Sequence, residues 1–327
     1  MSEEQLKRRV TAADIARSLG ISRATVGFVL NETPGQTISP ATRDRVLEEA
    51  SRVGYRPHLG ARALASGQSR IILLVLPDWP IDYTMREHID EASSALDEAG
   101  YSLVTMTPHH TGRARPLWET LQPDLVMGMV PFSPEQAEAI RASGSKVVSP
   151  DLAPADLGAD LEYALGPQVQ IEHFAERGHH QVAFASTSDP RLAALAADRQ
   201  GLARATADRL GLGFAAAEVD ESNAVAMLDR WLEAGVTAVA GYNDDIAAIV
   251  LGAALRRGLR IPAQLAVLGH DDTPLARRLV PSLSSVHVDA AGLGRYFAEL
   301  ALHSVEGRDA PVATPITRAT LVVRESS

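Results

Sequence analysis

Residues 11–31 read TAADIARSLGISRATVGFVLN, and this stretch decides the fold of the N-terminal part of the chain. Thr11 stands where it can cap the amides of a following helical turn, with Asp14 three residues on, the spacing of a reciprocal cap. Ile15 and Leu19 lie one turn apart and make an inward stripe. Gly20 stops this helix, because glycine takes the left-handed conformation of a helix end without steric cost. Ile21 fills the turn, and Ser22 caps a second helix that starts at Arg23. A third helix follows Ser39-Pro40, with serine as N-cap and proline at the first helical position; Val46, Ala50 and Val53 form its apolar stripe and Gly54 terminates it. Three short capped helices with a tight turn make a helix-turn-helix, the arrangement that seats its second helix in a DNA major groove.

The two faces of that second helix differ in kind. At about 100° per residue, Val26, Val29 and Leu30 cluster on one side, while Ala24, Gly27, Phe28 and Asn31 project from the other. Small residues at two outward positions let another backbone approach, and Arg23 stands at the N-terminal end, where recognition helices meet base edges. A three-helix bundle with a merely solvated outer face is the alternative, and charge argues against it. Residues 1–70 hold eleven basic and seven acidic side chains, a net of +4; the remainder holds 20 basic and 34 acidic ones, a net of −14. The basic end can neutralise phosphates while the acidic body is kept off them, so DNA binding should fall steeply with salt.

The stretch TAADIARSLGISRATVGFVLN followed by SPATRDRVLEEASRVGYRPHLGARALASGQS closely resembles the headpiece and hinge of the lactose/galactose repressor family of bacterial transcription factors. Motif order, the Gly-Tyr-Arg-Pro exit and the Ala-Leu hinge all match. Weaker similarity runs on through GYSLV, ERGHHQVAF, AGYNDDIAAIVLGAALRRGLRIP, LAVLGHDDTPLA and a final LVVRES, so it covers almost the whole chain. The resemblance implies DNA contacts from Thr11, Ser22, Arg23, Ala24, Thr25, Gly27, Phe28 and Asn31, and from Arg62 and Leu64 of the hinge. It also implies an effector cleft between two lobes, with Asp151, Asp198, Arg199, Asn243 and Asp271 as the candidate residues.

At 327 residues the chain has room for a headpiece and a two-lobed body. Three regions are expected: a headpiece over 1–57, a hinge over 58–69 and a body over 70–327. Beyond residue 70, apolar runs such as IILLVLP, YSLVTM, DLVMGMV, KVVS, HQVAFAS, FAAAEV, VTAVAG, LAVLGHD and SSVHV alternate with helical stretches, among them 84–99, 134–142 and 244–257. Continuous apolar strands separated by helices indicate buried parallel sheets in βαβ order. The expected fold is therefore an all-α headpiece on an α/β body of two doubly wound, periplasmic-binding-protein-like lobes. The resemblance divides them as about 70–165 plus 289–318, and 166–287 plus 319–327, with three crossovers and ligand near the strand C-termini. The hinge, His58–Ser69, is too short and too glycine-flanked to be a stable helix alone, so it is expected to fold on DNA, as the family's hinge does. There Leu64 matches the family leucine that wedges into the minor groove; packing onto the body is the alternative.

The chain has no cysteine, which excludes disulfides and thiolate metal sites and fits a reducing compartment. A polar N-terminus and the lack of long apolar runs lead us to expect a cytoplasmic protein. Asn31-Glu32-Thr33 spells a glycosylation sequon, but without a secretory signal it reads as a helix end and a turn. Phosphate-loop, dinucleotide and zincin signatures are missing, so no cofactor and no metal are expected. His179-His180 reads as turn and strand rather than a metal pair, because adjacent strand side chains splay apart. Asp244-Asp245 and Asp271-Asp272 could suggest acid/base or metal chemistry, but each pair follows a strand, and the resemblance implies that Asn243 and Asp271 hydrogen-bond a polar ligand in the cleft rather than catalyse.

The cleft departs from the family pattern in three places. Asp198-Arg-Gln-Gly201 puts Asp198 where the family carries an effector-gripping arginine, with Arg199 one place out of register. Val288 stands at a commonly polar position, and DWPIDY, 78–83, replaces an Asn-Pro-Phe-Phe type segment. The cleft is therefore expected to be acceptor-rich and negative, favouring a neutral polyhydroxyl, nucleoside-like or amine-bearing effector over an anionic one, unless Arg199 turns inward. The expected protein is a repressor acting as a homodimer on a palindromic operator under small-molecule control. Its rival is a DNA-binding regulator whose body only dimerises. A periplasmic solute-binding protein would share the body but not the headpiece.

Overall fold

The computed structural model describes residues 10–30, 35–55, 68–108, 115–149, 165–311 and 319–327. In the headpiece, α1 (Ala12–Leu19), α2 (Arg23–Leu30) and α3 (Pro40–Arg52) enclose Ile15, Ala16, Val26, Val29, Val46 and Ala50. Local chemistry sets each boundary. Gly20 is left-handed at φ +66°, and Ser22 Oγ accepts the Thr25 amide at 3.0 Å. Ser39 Oγ accepts the Thr42 amide at 3.2 Å. At α1 the Asp14 carboxylate accepts both the Thr11 amide, at 3.0 Å, and the Thr11 hydroxyl, at 2.7 Å. Glu49 staples α3 to α1, accepting the Ser18 hydroxyl at 2.5 Å and a two-point Arg52 fork at 2.6 and 2.7 Å. Those hydrogen bonds, with Arg52 foremost, hold its carboxyl down to about 2.

The first lobe carries β1 (Ile71–Val75), α4 (Tyr83–Glu98), β2 (Ser102–Met106), α5 (Leu117–Leu121), β3 (Leu125–Gly128), α6 (Pro134–Ala142) and β4 (Lys146–Val148), with its parallel strands ordered β2-β1-β3-β4. Ile72 and Leu74 pack on one face with Leu96 and Met127, whereas Leu73 and Val75 pack on the other with Trp118 and Ile140. Burial on both faces is why the strand reads as a continuous apolar run.

The second lobe contains α7 (Gly166–Glu176), β5 (Gln181–Ser186), α8 (Ala193–Leu210), β6 (Gly213–Glu218), α9 (Ala224–Glu233), β7 (Ala238–Gly241), α10 (Asp244–Arg256), β8 (Ala266–His270) and β9 (Ser284–His287). The chain then crosses back. Helix α11 (Ala290–Glu306) packs on the first lobe against α4, and β10 (Thr320–Val322) rejoins the second sheet, whose order is β10-β9-β8-β7-β5-β6. Strand β10 pairs antiparallel with β9, the one exception among the described residues to the parallel sheets expected from sequence. It arrives from the other lobe rather than through a helix on its own sheet, so no βαβ crossover fixes its direction. His179 bonds Thr237 Oγ1 at 2.8 Å and meets the Phe174 ring edge-on, a role in packing the start of β5.

Candidate DNA interface and effector cleft

Helix α2 turns Val26 and Val29 into the headpiece core and leaves Ser22, Arg23 and Ala24 exposed. Thr25, Gly27 and Phe28 are half-buried, and Phe28 is not among the side chains packed on that core. A Cβ built on Gly27 meets nothing within 4 Å, so the headpiece does not itself demand glycine there. What the missing side chain provides is a flat surface for a close approach from outside. Thr11 is exposed at the start of α1. Asn31, Arg62 and Leu64 lie outside the described residues. Arg52 and Arg45 are held by Glu49 and by the Leu19 carbonyl oxygen, whereas Arg23 meets no carboxylate among the described residues.

Between the lobes lies a cavity of about 380 Å³, lined from the first lobe by Asp82 and Tyr83 and from the second by Asn243, Asp244, Asp245, Asp271, Thr273, Pro274, Leu275 and Arg278. Its position beyond strand C-termini follows from the topology, since parallel strands deliver their following loops to one edge. Asp82 caps α4 by accepting the Met85 amide at 2.8 Å. Asn243 caps α10 by accepting the Ile246 amide at 2.9 Å. Asp271 follows β8 at φ +91°, and Asp272 is left-handed beside it at φ +47°. Two such residues in succession are strained for non-glycine side chains, and the surroundings hold them there. The Asp271 amide donates to Val286 O at 2.8 Å and the Asp272 amide to Ser285 Oγ at 3.1 Å. Arg324, from the C-terminal segment, pairs with Asp272 at 2.5 Å.

Arg199 reaches in from α8. It donates to Tyr242 O at 2.6 Å, pairs with Asp271 at 3.4 Å and stacks 4.6 Å above the Tyr242 ring. Burial alone would push Asp271 up, but Arg199 and His270, whose Nδ1 lies 2.6 Å from Asp271 Oδ1, outweigh it and hold the carboxyl down to about 2. Burial and the nearby guanidinium lower His270, so the neutral ring donates from Nδ1. Asp244 behaves in the opposite way. It is 1 % exposed, and burial pushes it up to about 7 despite bonds from Ser285 and Thr273. Burial raises Asp82 and Asp245 too, with the Asp271 charge adding to each.

Of the residues picked out by sequence, Asn243 and Asp271 line the cavity and Arg199 is bound to Asp271. Asp198 does not line it. It is exposed on α8, because the inward stripe of that helix runs Ala196, Arg199, Ala203, Thr206. The inward arginine is thus Arg199, and the expectation of Asp198 as a cleft acceptor is corrected. Asp151 lies outside the described residues, and Val288 is buried.

Similarity to known proteins agrees with this arrangement. HTH-type transcriptional regulator GalS of Salmonella typhimurium is 30 % identical over 337 residues, covering 97 % of this chain and 96 % of the relative. The chain belongs to the lacI family of bacterial regulatory proteins. The lacI family model itself matches residues 11–58, and a periplasmic binding protein-like domain matches residues 171–327. HTH-type transcriptional regulator GalR of Escherichia coli is 28 % identical, covering 97 % of this chain and 95 % of the relative. Among solved structures, the Lac repressor dimer bound to operator and the anti-inducer ONPF superposes with a TM-score of 0.77 at 21 % identity, covering 98 % of this chain and 99 % of that one. As a lacI-family member the chain is a DNA-binding transcriptional regulator and not an enzyme. Sequence reasoning missed Asp82, Tyr83, Asp244, Asp245, Thr273, Pro274, Leu275 and Arg278 as cleft residues, although the unusual DWPIDY segment did point to the first two.

Proposed function

We propose that this regulator is a repressor that binds a palindromic operator as a homodimer. Helix α2 enters the major groove, with Arg23 and Phe28 facing base edges and Thr11, Ser22, Ala24, Thr25, Gly27 and Asn31 around them. Residues 1–57 form the headpiece, 58–69 the hinge that places Arg62 and Leu64 in the minor groove, and 70–327 the body that dimerises and takes an effector. The protein works in the cytoplasm, on DNA. The observation that carries this reading is the exposed, open face of α2 on a basic headpiece joined to an acidic body. A cavity walled by both lobes favours an effector-controlled body over one that only dimerises.

Comparing the full chain with a form lacking residues 1–57 tests it. Operator selection with the full chain should return a two-fold symmetric site whose affinity falls steeply between low and physiological salt. The truncated form should stay dimeric and lose that binding. Specific binding by the truncated body would overturn the reading.

A further inference from the structure

The cavity between the lobes has a charge character that narrows what it can hold. Among the described residues Asp82, Asp244, Asp245 and Asp271 line it against one lining cation, Arg278. Arg199, the other cation nearby, has one nitrogen on the Tyr242 carbonyl and another on Asp271. It is 19 % exposed and its charge is matched by Asp271, so it adds little net positive charge for an anionic ligand. Nor are the two helix N-termini free. Asp82 itself caps α4, while Asn243 caps α10 and Asp244 and Asp245 fill its first turn, which offsets the positive end. Among the described residues the Asp245 carboxylate has no ion pair or hydrogen bond, and the Asp82 carboxylate accepts only the Met85 amide. These two carboxylates come from opposite lobes and line the same cavity.

The same wall carries apolar and aromatic surface. Pro274 and Leu275 line it, and the Tyr83 ring is 45 % exposed beside Asp82, a face on which a cation can rest. The described residues bring no three metal-ligating side chains together around one point, so the carboxylates are too dispersed to cage a compact metal ion. An organic cation with a carbon skeleton satisfies both the dispersed charge and the apolar wall. Resting on the reading of the cleft as an effector site, we propose that its occupant carries a protonated amine taken up by Asp82 of the first lobe and Asp245 of the second. A cation bridging the two carboxylates holds both lobes at once and so favours arrangements that keep these walls together.

Isothermal titration of the full chain against matched probes tests this. One set is 1,4-diaminobutane, 1,4-butanediol and succinate; the other is glucosamine, glucose and glucose 6-phosphate. At least one amine should bind saturably at one site per chain, about tenfold or more tighter than its neutral counterpart. Asp82→Asn and Asp245→Asn should each weaken it about tenfold, whereas Asp97→Asn, on the exposed outer side of α4, should leave it unchanged. Equal loss in all three variants, or in none, would mean that the amine follows the general negative charge of the chain, and the proposal falls. Tighter binding of succinate or glucose 6-phosphate, abolished by Arg199→Ala, would overturn the amine preference while leaving the cleft as an effector site. Binding by no probe of any charge would overturn the amine proposal and count against the effector reading itself.

Discussion

Replacing Asp244 by asparagine should stabilise the body at pH 8 and do so far less at pH 5. The Asp244 carboxyl is 1 % exposed and is pushed from 3.8 up to about 7, chiefly by burial. A carboxyl raised in the folded state binds its proton more tightly there than in the unfolded chain. Stability from this group is therefore fully present below about pH 4 and is lost as pH rises toward 7. Three pH decades at about 1.4 kcal/mol each come to about 4 kcal/mol, an upper figure that neighbouring rearrangement will reduce. Asparagine fits the same shell. Its carbonyl can accept the Thr273 amide and hydroxyl, now 2.6 and 2.9 Å from Asp244 Oδ2, and its amide can donate to Ser285 Oγ, now 2.6 Å from Oδ1. Gly269 keeps room for the group, since a Cβ there would stand 2.1 Å from Oδ1. Urea unfolding of both proteins from pH 5 to 8.5 tests this, because titrations not coupled to Asp244 cancel in the difference. The gap should widen in favour of Asp244→Asn by about 1.4 kcal/mol per pH unit up to about pH 7 and then level off. A gap that stays constant across this range would refute the reasoning.

Phe28→Arg should change the operator selected at one symmetric base pair, from one that presents a thymine methyl to one that presents guanine; unchanged selection would make Phe28 a spacer. Leu64→Ala should weaken operator binding and reduce DNA bending with the melting temperature of the free protein unaltered, as expected of a residue that acts only in the complex. Gly294→Ala should destabilise the first lobe by about 1–3 kcal/mol in chemical denaturation, since the new methyl would lie 2.4 Å from the His88 backbone oxygen. Acidification should release the Ser18–Glu49–Arg52 staple, so headpiece stability should be steady above about pH 4.5 and fall as pH drops toward 2; Glu49→Gln should abolish that fall in headpiece melts followed by circular dichroism.

The headpiece was legible in the sequence because its determinants are local. A serine three residues from the amide it caps, a glycine at a left-handed position and an apolar stripe with a helical period need no distant partner. The strands were legible because burial on both faces leaves a continuous apolar run. The cleft was less so. Its walls come from distant segments, with Asp82 and Asp245 standing 163 residues apart, so the two carry no mutual signal in the sequence. Asp198 was misplaced for a different reason. Matching a family register fixes the position to within a residue, but one residue on a helix turns a side chain by about 100°. The period of Ala196, Ala203 and Ala207 already placed Arg199 inward, and helical phase outweighs register in that decision.

How an event in the cleft reaches the DNA follows from where the first lobe is held. The chain arriving from the headpiece is clamped at Asp124, which accepts the Ser69 amide at 2.7 Å, the Ser69 hydroxyl at 3.0 Å and the Arg70 amide at 3.0 Å. From that clamp β1 runs five residues, about 17 Å, to the segment that carries Asp82 and Tyr83. The strand is paired on both edges, by β2 and β3, and its side chains are buried on both faces, so it moves as part of a rigid lobe rather than bending. Cleft and clamp are therefore opposite ends of one body. A ligand held by the second lobe alone would leave that body where it is, however tightly it bound, because it would favour neither arrangement of the lobes. On the proposed reading, contact with Asp82 or Tyr83, the first-lobe residues that line the cavity among the described residues, is what would give a ligand unequal affinity for two arrangements of the lobes and so let it act on the DNA-bound headpieces.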